Sequence, residues 1–145
     1  MKTYPELDHI AIAVKDLKGA MEKFGRYFTG CEMEIHHLHQ LNVGILWMGK
    51  IFLEFLSPEE GEETVNKFLK KRGEGLHHIA YRVDNIKEEV RRWEEAGAEV
   101  VNQEPKAGLF RRKAVFLHPR GNFGVLIELV EGRAGGGEED GEAER

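Results

Sequence analysis

Cysteine is nearly absent from this chain: Cys31 is the only one among 145 residues. A single cysteine cannot form an internal disulfide, and this composition favours a reducing compartment. The chain also lacks an apolar run of about 18 residues, the length that a membrane-spanning helix needs. The N-terminus shows no signal-peptide pattern. We therefore expect a soluble cytoplasmic protein without a membrane partner.

Dense positive charge is missing as well. The formal net charge is −5, and basic residues gather only in short clusters such as Arg91-Arg92 and Arg111-Arg112-Lys113. Proteins that bind nucleic acid usually carry an extended basic surface, because phosphate neutralisation supplies much of their affinity. The composition therefore argues against a nucleic-acid partner.

The sequence does contain an internal repeat. Residues 7–11, Leu-Asp-His-Ile-Ala, return as Leu-His-His-Ile-Ala at 76–80, 69 positions later. A second echo pairs 51–56, which contains Glu54, with 125–130, which contains Glu128. Solenoid repeats have periods of about 20–50 residues, so this longer period indicates a duplicated half-domain.

We predict one domain over residues 1–131, built from modules at 5–72 and 73–131. Residues 132–145 are rich in Gly and Glu without a large apolar side chain, and this composition predicts a disordered tail.

Hydrophobic periodicity predicts the same element order, β-α-β-β-β, in both copies, and hence an α+β fold. Asp16 and Asn85 are predicted helix N-caps, and a further short helix is predicted over 64–71. Strands are predicted at 7–14, 32–39, 43–48 and 51–56, and again at 76–83, 99–102, 113–117 and 125–130.

Two histidines and two glutamates occupy matching places in the two copies. Strand alternation puts His9 and His78 on equivalent faces of equivalent strands. Glu54 and Glu128 each lie among apolar neighbours, where a charge is costly unless it is paired or binds a metal. Taken singly, each residue could be a satisfied core histidine or an edge-strand charge. The four together, in repeat register, predict a divalent-metal site.

The donor set narrows the choice of metal without deciding it. Two imidazoles and two carboxylates suit Co²⁺, Mn²⁺, Ni²⁺, Fe²⁺ or Zn²⁺. Four such ligands would leave two positions of an octahedron open. An open site of this kind suits a Lewis acid that polarises a carbonyl oxygen.

The other histidines are given less specific roles. His77 should point to the face opposite His78 and is interpreted as structural. His36, His37 and His39 lie close together near the end of one predicted strand, and we interpret them as solvated surface residues rather than metal ligands. His118 precedes Pro119, where a turn role and a role near substrate are both open.

The repeated His and Glu positions resemble the vicinal-oxygen-chelate superfamily over residues 5–131. Within it, the segments KFLKKRGEGLHHIA at 67–80, VFLHPR at 115–120 and GVLIEL at 124–129 most resemble the methylmalonyl-CoA epimerases. The resemblance implies two tandem βαβββ modules that form a half-open, metal-binding β-barrel of the glyoxalase type. It also implies His9, Glu54, His78 and Glu128 as metal ligands, Co²⁺ as the foremost metal, and a homodimer.

The same resemblance implies an isomerase that interconverts the (R) and (S) forms of methylmalonyl-CoA. A base would remove the proton α to the thioester, and an acid on the opposite face would return it. The predicted strand 43–48 carries no carboxylate, whereas some family members place a proposed catalytic carboxylate there. We therefore assign the two proton transfers to Glu128 and Glu54.

The basic residues of the second copy have two possible roles. They could form a positive rim that binds the phosphates of an acyl-CoA substrate, or they could be ordinary surface charge. These residues are Lys106, Arg111, Arg112, Lys113 and Arg120.

Two further functions remain open. One is a glyoxalase I (lactoylglutathione lyase) or another metal-dependent enzyme of the superfamily, and the other is a binding protein that performs no chemistry.

Overall fold

The structure, a computed structural model, describes residues 4–134. The chain divides into two compact units. The first unit is His9–His77, and the second unit is formed by the described residues on either side of it. The strands of the described residues are β1 Glu6–Ala13, β2 Met33–Leu38, β3 Leu41–Met48, β4 Ile51–Pro58, β5 Gly75–Val83, β6 Lys106–Ala107, β7 Lys113–Leu117 and β8 Ile127–Glu131. The α-helices are α1 Leu17–Tyr27, α2 Thr64–Arg72 and α3 Ile86–Glu95.

In the first unit, the strands follow the order β2-β3-β4-β1, and β1 runs parallel to β4. The Asp16 side chain caps α1 as predicted, accepting a hydrogen bond from the Gly19 N–H. Helix α1 packs against one face of the sheet, where Met21 and Phe24 meet Leu46 and Phe55 in an apolar core. The opposite face is thereby left to carry other side chains.

The second unit repeats this plan. Its strands follow the order β5-β8-β7-β6, with β5 parallel to β8. The Asn85 side chain caps α3 by accepting from the Glu88 N–H. Ile86 and Val90 of this helix pack on Val115 and Leu129. The α+β class and the double βαβββ order are therefore confirmed.

The strand predicted over 99–102 is wrong. Val100 makes only an isolated bridge with Leu117. Pairing stops there because the Asn102 side chain replaces the next backbone partner: its Oδ1 accepts from the Phe116 N–H, and its Nδ2 donates to the Ala114 carbonyl. The edge strand beside β7 is the two-residue β6 instead. A side-chain amide that imitates the backbone leaves no trace in hydrophobic periodicity.

The predicted tail, 132–145, lies mostly outside the described residues. Its described part contacts the second unit, where the Gly132 N–H donates to the Val83 carbonyl. Within residues 4–134, none of the helices has the length and apolarity that crossing a membrane requires.

Gly44 of β3 lets α1 approach the sheet closely. A Cβ placed on Gly44 would overlap the sulfur of Met21 and lie 2.9 Å from Cδ1 of Leu17. The added methyl group would force both side chains to move. Because their ends are flexible, the cost should stay in the usual range for overpacking a core, and we expect Gly44→Ala to lower the free energy of unfolding by about 1–3 kcal/mol. Denaturant unfolding measures this loss. Gly108→Ala is the control, since its nearest neighbour would lie at an ordinary 3.6 Å. Equal stability of both variants would contradict the expectation.

Candidate metal centre

His9 and Glu54 form a buried pair in the first unit. His9 lies on β1 and Glu54 on β4, and the His9 Nε2 is 3.5 Å from the Glu54 Oε1. Their side chains are 4% and 9% exposed. Phe52 stacks on the His9 ring with a centroid separation of 4.6 Å, which restricts the orientation of the imidazole. Two of the predicted ligands are thus held side by side.

His78 and Glu128 form the corresponding pair in the second unit. The His78 Nε2 lies 3.0 Å from the Glu128 Oε1, and the side chains are 4% and 12% exposed. The Phe116 ring meets His78 edge-on at 5.3 Å. An aromatic neighbour therefore orients the imidazole here as well.

The two pairs share one strand register. Ala11, two residues after His9, pairs with Glu54, and Ala80, two residues after His78, pairs with Glu128. Both alanines are fully buried. A small residue in this position adds little bulk beside the carboxylate. The sequence repeat therefore corresponds to a repeat of side-chain geometry.

The chemistry of these donors fits a divalent metal ion. Imidazole nitrogen and carboxylate oxygen are ligands that Co²⁺, Mn²⁺, Ni²⁺ and Zn²⁺ accept. A buried carboxylate is costly unless a positive charge accompanies it, and a protonated histidine or a metal ion can supply that charge. The same pair of donors occurs in each unit.

A second polar group lies on the same face of the first unit, and the sequence interpretation missed it. The Glu34 carboxylate accepts from the Trp47 indole N–H at 2.7 Å and lies 2.7 Å from the His36 Nε2. His36 is thus partly exposed, as its interpretation as a surface residue expects, and it also contacts the Glu34 carboxylate. Its side chain is 31% exposed, against 56% for His37. The available sequence indication was spacing, because Glu34 and His36 are two positions apart on a predicted strand and therefore share one face.

Three of the other histidines have structural contacts. His37 lies 3.0 Å from the Glu59 carboxylate on the exposed side of β2. The His77 ring packs edge-on against Phe68 of α2 at 4.8 Å, in keeping with its predicted structural role. The His118 Nδ1 accepts from the Arg120 N–H, which favours the turn role.

Asp8, beside His9 in sequence, anchors a buried charge network in the second unit. Its carboxylate accepts two hydrogen bonds of 2.8 Å from the Arg112 guanidinium. Arg82 lies 3.4 Å away, and Arg112 also donates to the Gly132 carbonyl. The Asp8 side chain is only 1% exposed. No local pattern in the sequence indicates this network.

The network corrects part of the predicted positive rim. Arg112 is buried against Asp8, so it cannot present its charge to a phosphate. Arg120 is exposed, but its guanidinium forms a bidentate ion pair with the Glu99 carboxylate. Hydrogen bonding from Arg120 holds the pKa of Glu99 below its ordinary value. Lys106, Arg111 and Lys113 are exposed, and for these three the phosphate-binding role stays a prediction.

Comparison with known proteins shows a relationship over most of the chain. Residues 8–116 match the model of the glyoxalase/bleomycin resistance protein/dioxygenase superfamily. The uncharacterised protein YqjC of Bacillus subtilis is 33% identical, covering 86% of this chain and 91% of its own. The ethylmalonyl-CoA/methylmalonyl-CoA epimerase of Cereibacter sphaeroides is 35% identical, with coverage of 86% and 96%.

A solved structure agrees with these relationships. A methylmalonyl-CoA epimerase in complex with methylmalonyl-CoA and NH₄⁺ is 30% identical, with a TM-score of 0.81, and the match covers 89% of this chain and 95% of that one. The duplicated βαβββ units, the paired His and Glu residues and the match over residues 8–116 lead to one conclusion: this chain belongs to the glyoxalase/bleomycin resistance protein/dioxygenase superfamily.

Proposed function

We propose that this protein is an isomerase that epimerises methylmalonyl-CoA. The observation that carries the chemistry is the pair of buried His–Glu contacts in identical register, His9 with Glu54 and His78 with Glu128. The choice of substrate rests on relatives named for this reaction, which match nearly the whole chain. A cytoplasmic homodimer is part of the proposal.

The four side chains together would hold one divalent ion, with Co²⁺ as the foremost candidate. When bound, the ion would stabilise the negative charge that develops on the thioester oxygen. His9 and His78 are already oriented by Phe52 and Phe116, so their nitrogens need little reorganisation to act as ligands.

Proton transfer falls to the carboxylates in the simplest form of this mechanism. Glu128 removes the proton α to the thioester, and Glu54 returns one to the opposite face of the resulting enolate. Each pairs in the sheet with a fully buried alanine, whose short side chain adds little bulk beside the carboxylate. General acid–base catalysis of this kind contributes about 10²–10⁴-fold to the rate.

The test is NMR of stereochemically pure methylmalonyl-CoA in D₂O with cobalt-loaded protein. We expect deuteration at the α-carbon with loss of stereochemical purity, abolished by EDTA and restored by Co²⁺. Methylglyoxal with glutathione is the comparison substrate. Its isomerisation, without α-exchange of methylmalonyl-CoA, would overturn the epimerase assignment in favour of a glyoxalase. Turnover of neither substrate by metal-loaded protein would also overturn it.

Metal binding gives an independent prediction. We expect chelator-treated protein to bind one Co²⁺ per chain. At a free concentration of 100 times the dissociation constant, the metal should raise the free energy of unfolding by about 2.7 kcal/mol, because it binds the folded state. Elemental analysis and thermal unfolding measure these effects. The double variant His9→Gln/His78→Gln should show neither, whereas His37→Gln should show both. Cobalt stabilisation of the double variant would contradict the proposed ligands.

A further inference from the structure

Exposed apolar side chains of the first unit are concentrated in one stretch of the chain. Five of its large apolar side chains are exposed, and four of these lie within residues 27–35: Tyr27, Phe28, Met33 and Ile35. Ile35 is 63% exposed and Met33 is 49% exposed. Single exposed apolar side chains are ordinary on a protein surface, whereas a group of several indicates an interaction site.

A cleft of about 720 Å³ lies between α1 and β2. Met21 of α1 and Met33 and Ile35 of β2 form part of its wall. Met33 lies close over the helix, because a Cβ placed on Gly25 would be 3.2 Å from the terminal methyl carbon of Met33. Ile35 is on the same side of the sheet, since it pairs with Gly44, which faces α1. The cleft therefore presents an apolar wall to solvent. We call this cleft, together with the four exposed apolar residues, the α1–β2 surface.

The strand that carries this wall is an edge strand. Among the described strands, β2 pairs with β3 alone. Edge strands with apolar side chains are sites of association unless something covers them. Glu54 pairs with Ile45, the neighbour of Gly44, and therefore points to the other face of the sheet. A partner at the cleft would thus bind on the side of the sheet opposite the His9–Glu54 pair.

The charged residues at the cleft favour a second copy of this chain as the partner. Lys18 and Glu22 both line the cleft, are exposed, and lie about one helical turn apart on α1. In a twofold contact, if one residue meets a second residue of the partner, the second also meets the first. Two antiparallel α1 helices would set Lys18 against Glu22 of the partner subunit at two places. A rim with charges of one sign would instead repel its own copy.

The amount of exposed apolar surface also suits a dimer. A stable interface buries about 800 Å² per partner, and somewhat more than half of this area is apolar. With about 200 Å² for each whole side chain, the exposed fractions of the four apolar residues amount to roughly 400 Å². This area is close to the apolar share of one side of such an interface.

We propose that the α1–β2 surface is the contact through which two copies of this chain pair about a twofold axis. Met33 and Ile35 of each copy fill the cleft of the other, and Lys18 and Glu22 form ion pairs at its rim. This inference rests on the homodimer within the proposed function and names its interface. It depends neither on the metal nor on the reaction.

The test is sedimentation velocity of the full chain over a range of protein concentrations. We expect Ile35→Lys to raise the dissociation constant of the dimer by at least about 100-fold, because the twofold axis places the change in the interface twice. The Ile35 side chain is exposed in the single chain, so the variant should fold, and circular dichroism checks this. Leu76→Lys is the matched control, since Leu76 is 69% exposed in the same unit but does not line the cleft. It should leave the dissociation constant unchanged.

Charge reversal supplies a second test. Lys18→Glu and Glu22→Lys should each raise the dissociation constant about 10-fold, since like charges then face each other at two places. The double variant Lys18→Glu/Glu22→Lys should return the dissociation constant to nearly the wild-type value, because opposite charges face each other again. A general loss of folding would not be repaired in this way.

The outcomes separate this inference from the rest of the proposed function. If wild-type protein dimerises and Ile35→Lys dimerises equally well, the assigned surface is wrong and the homodimer stands. Equal dissociation by Leu76→Lys, or a double variant weaker than either single charge variant, would also contradict the surface. If wild-type protein is monomeric at every concentration, the homodimer and this inference both fail, whereas α-exchange of methylmalonyl-CoA decides the epimerase assignment separately.

Discussion

Glu128→Gln is expected to lower kcat for epimerisation by about 10²–10⁴-fold, the usual contribution of a general acid–base group. Gln has nearly the same shape as Glu but cannot take up the α-proton, and its neutral oxygen is a weaker metal ligand. The measurement is the rate of epimerisation at saturating Co²⁺ and saturating substrate. Because Glu128 is buried beside His78, bound cobalt must be measured in the same samples.

Glu131→Gln supplies a matched control on the same strand. The Glu131 side chain accepts a hydrogen bond from the Ile86 N–H at the start of α3, and the amide oxygen of Gln can still accept it. We expect this variant to keep kcat. Wild-type activity in Glu128→Gln, together with a large loss of stability, would contradict the catalytic role. That result would mean that Glu128 and His78 form only a structural ion pair.

Asp8→Asn is expected to lower the free energy of unfolding by about 3–5 kcal/mol, the usual cost of removing one partner from a buried ion pair. Asp8 is almost completely buried and accepts both short hydrogen bonds from Arg112, with Arg82 close by. Its replacement leaves two buried guanidinium groups without their shared carboxylate. Urea unfolding measures the loss.

Two controls separate this effect from a general loss of charge. Glu99→Gln breaks the exposed pair with Arg120, and it should change stability much less because solvent screens that pair. The double variant Asp8→Leu/Arg112→Met removes both charges of the main pair, so it should be more stable than Asp8→Asn. If Asp8→Asn unfolds at the same urea concentration as the wild type, the network does not stabilise the second unit.

Much of the fold could be read from local pattern. Strand alternation separated His9, Ala11 and Ala13 from Ile10 and Ile12, and the first three are buried in the structure. Asp16 and Asn85 marked the starts of α1 and α3 because capping depends on a side chain and a backbone N–H three residues apart. The repeat then extended each assignment from one half of the chain to the other.

By itself, the sequence determined the element order, the superfamily resemblance and the four candidate ligands, because periodicity and a tandem repeat are properties of the linear chain. Tertiary structure alone decided that Arg112 pairs with Asp8, 104 positions away, and that Asn102 ends the pairing beside β7. It also decided that Glu34 and His36 lie on the face of Glu54. Such contacts depend on strand register and on which residue fills the space opposite a buried charge, and neither is encoded in local spacing.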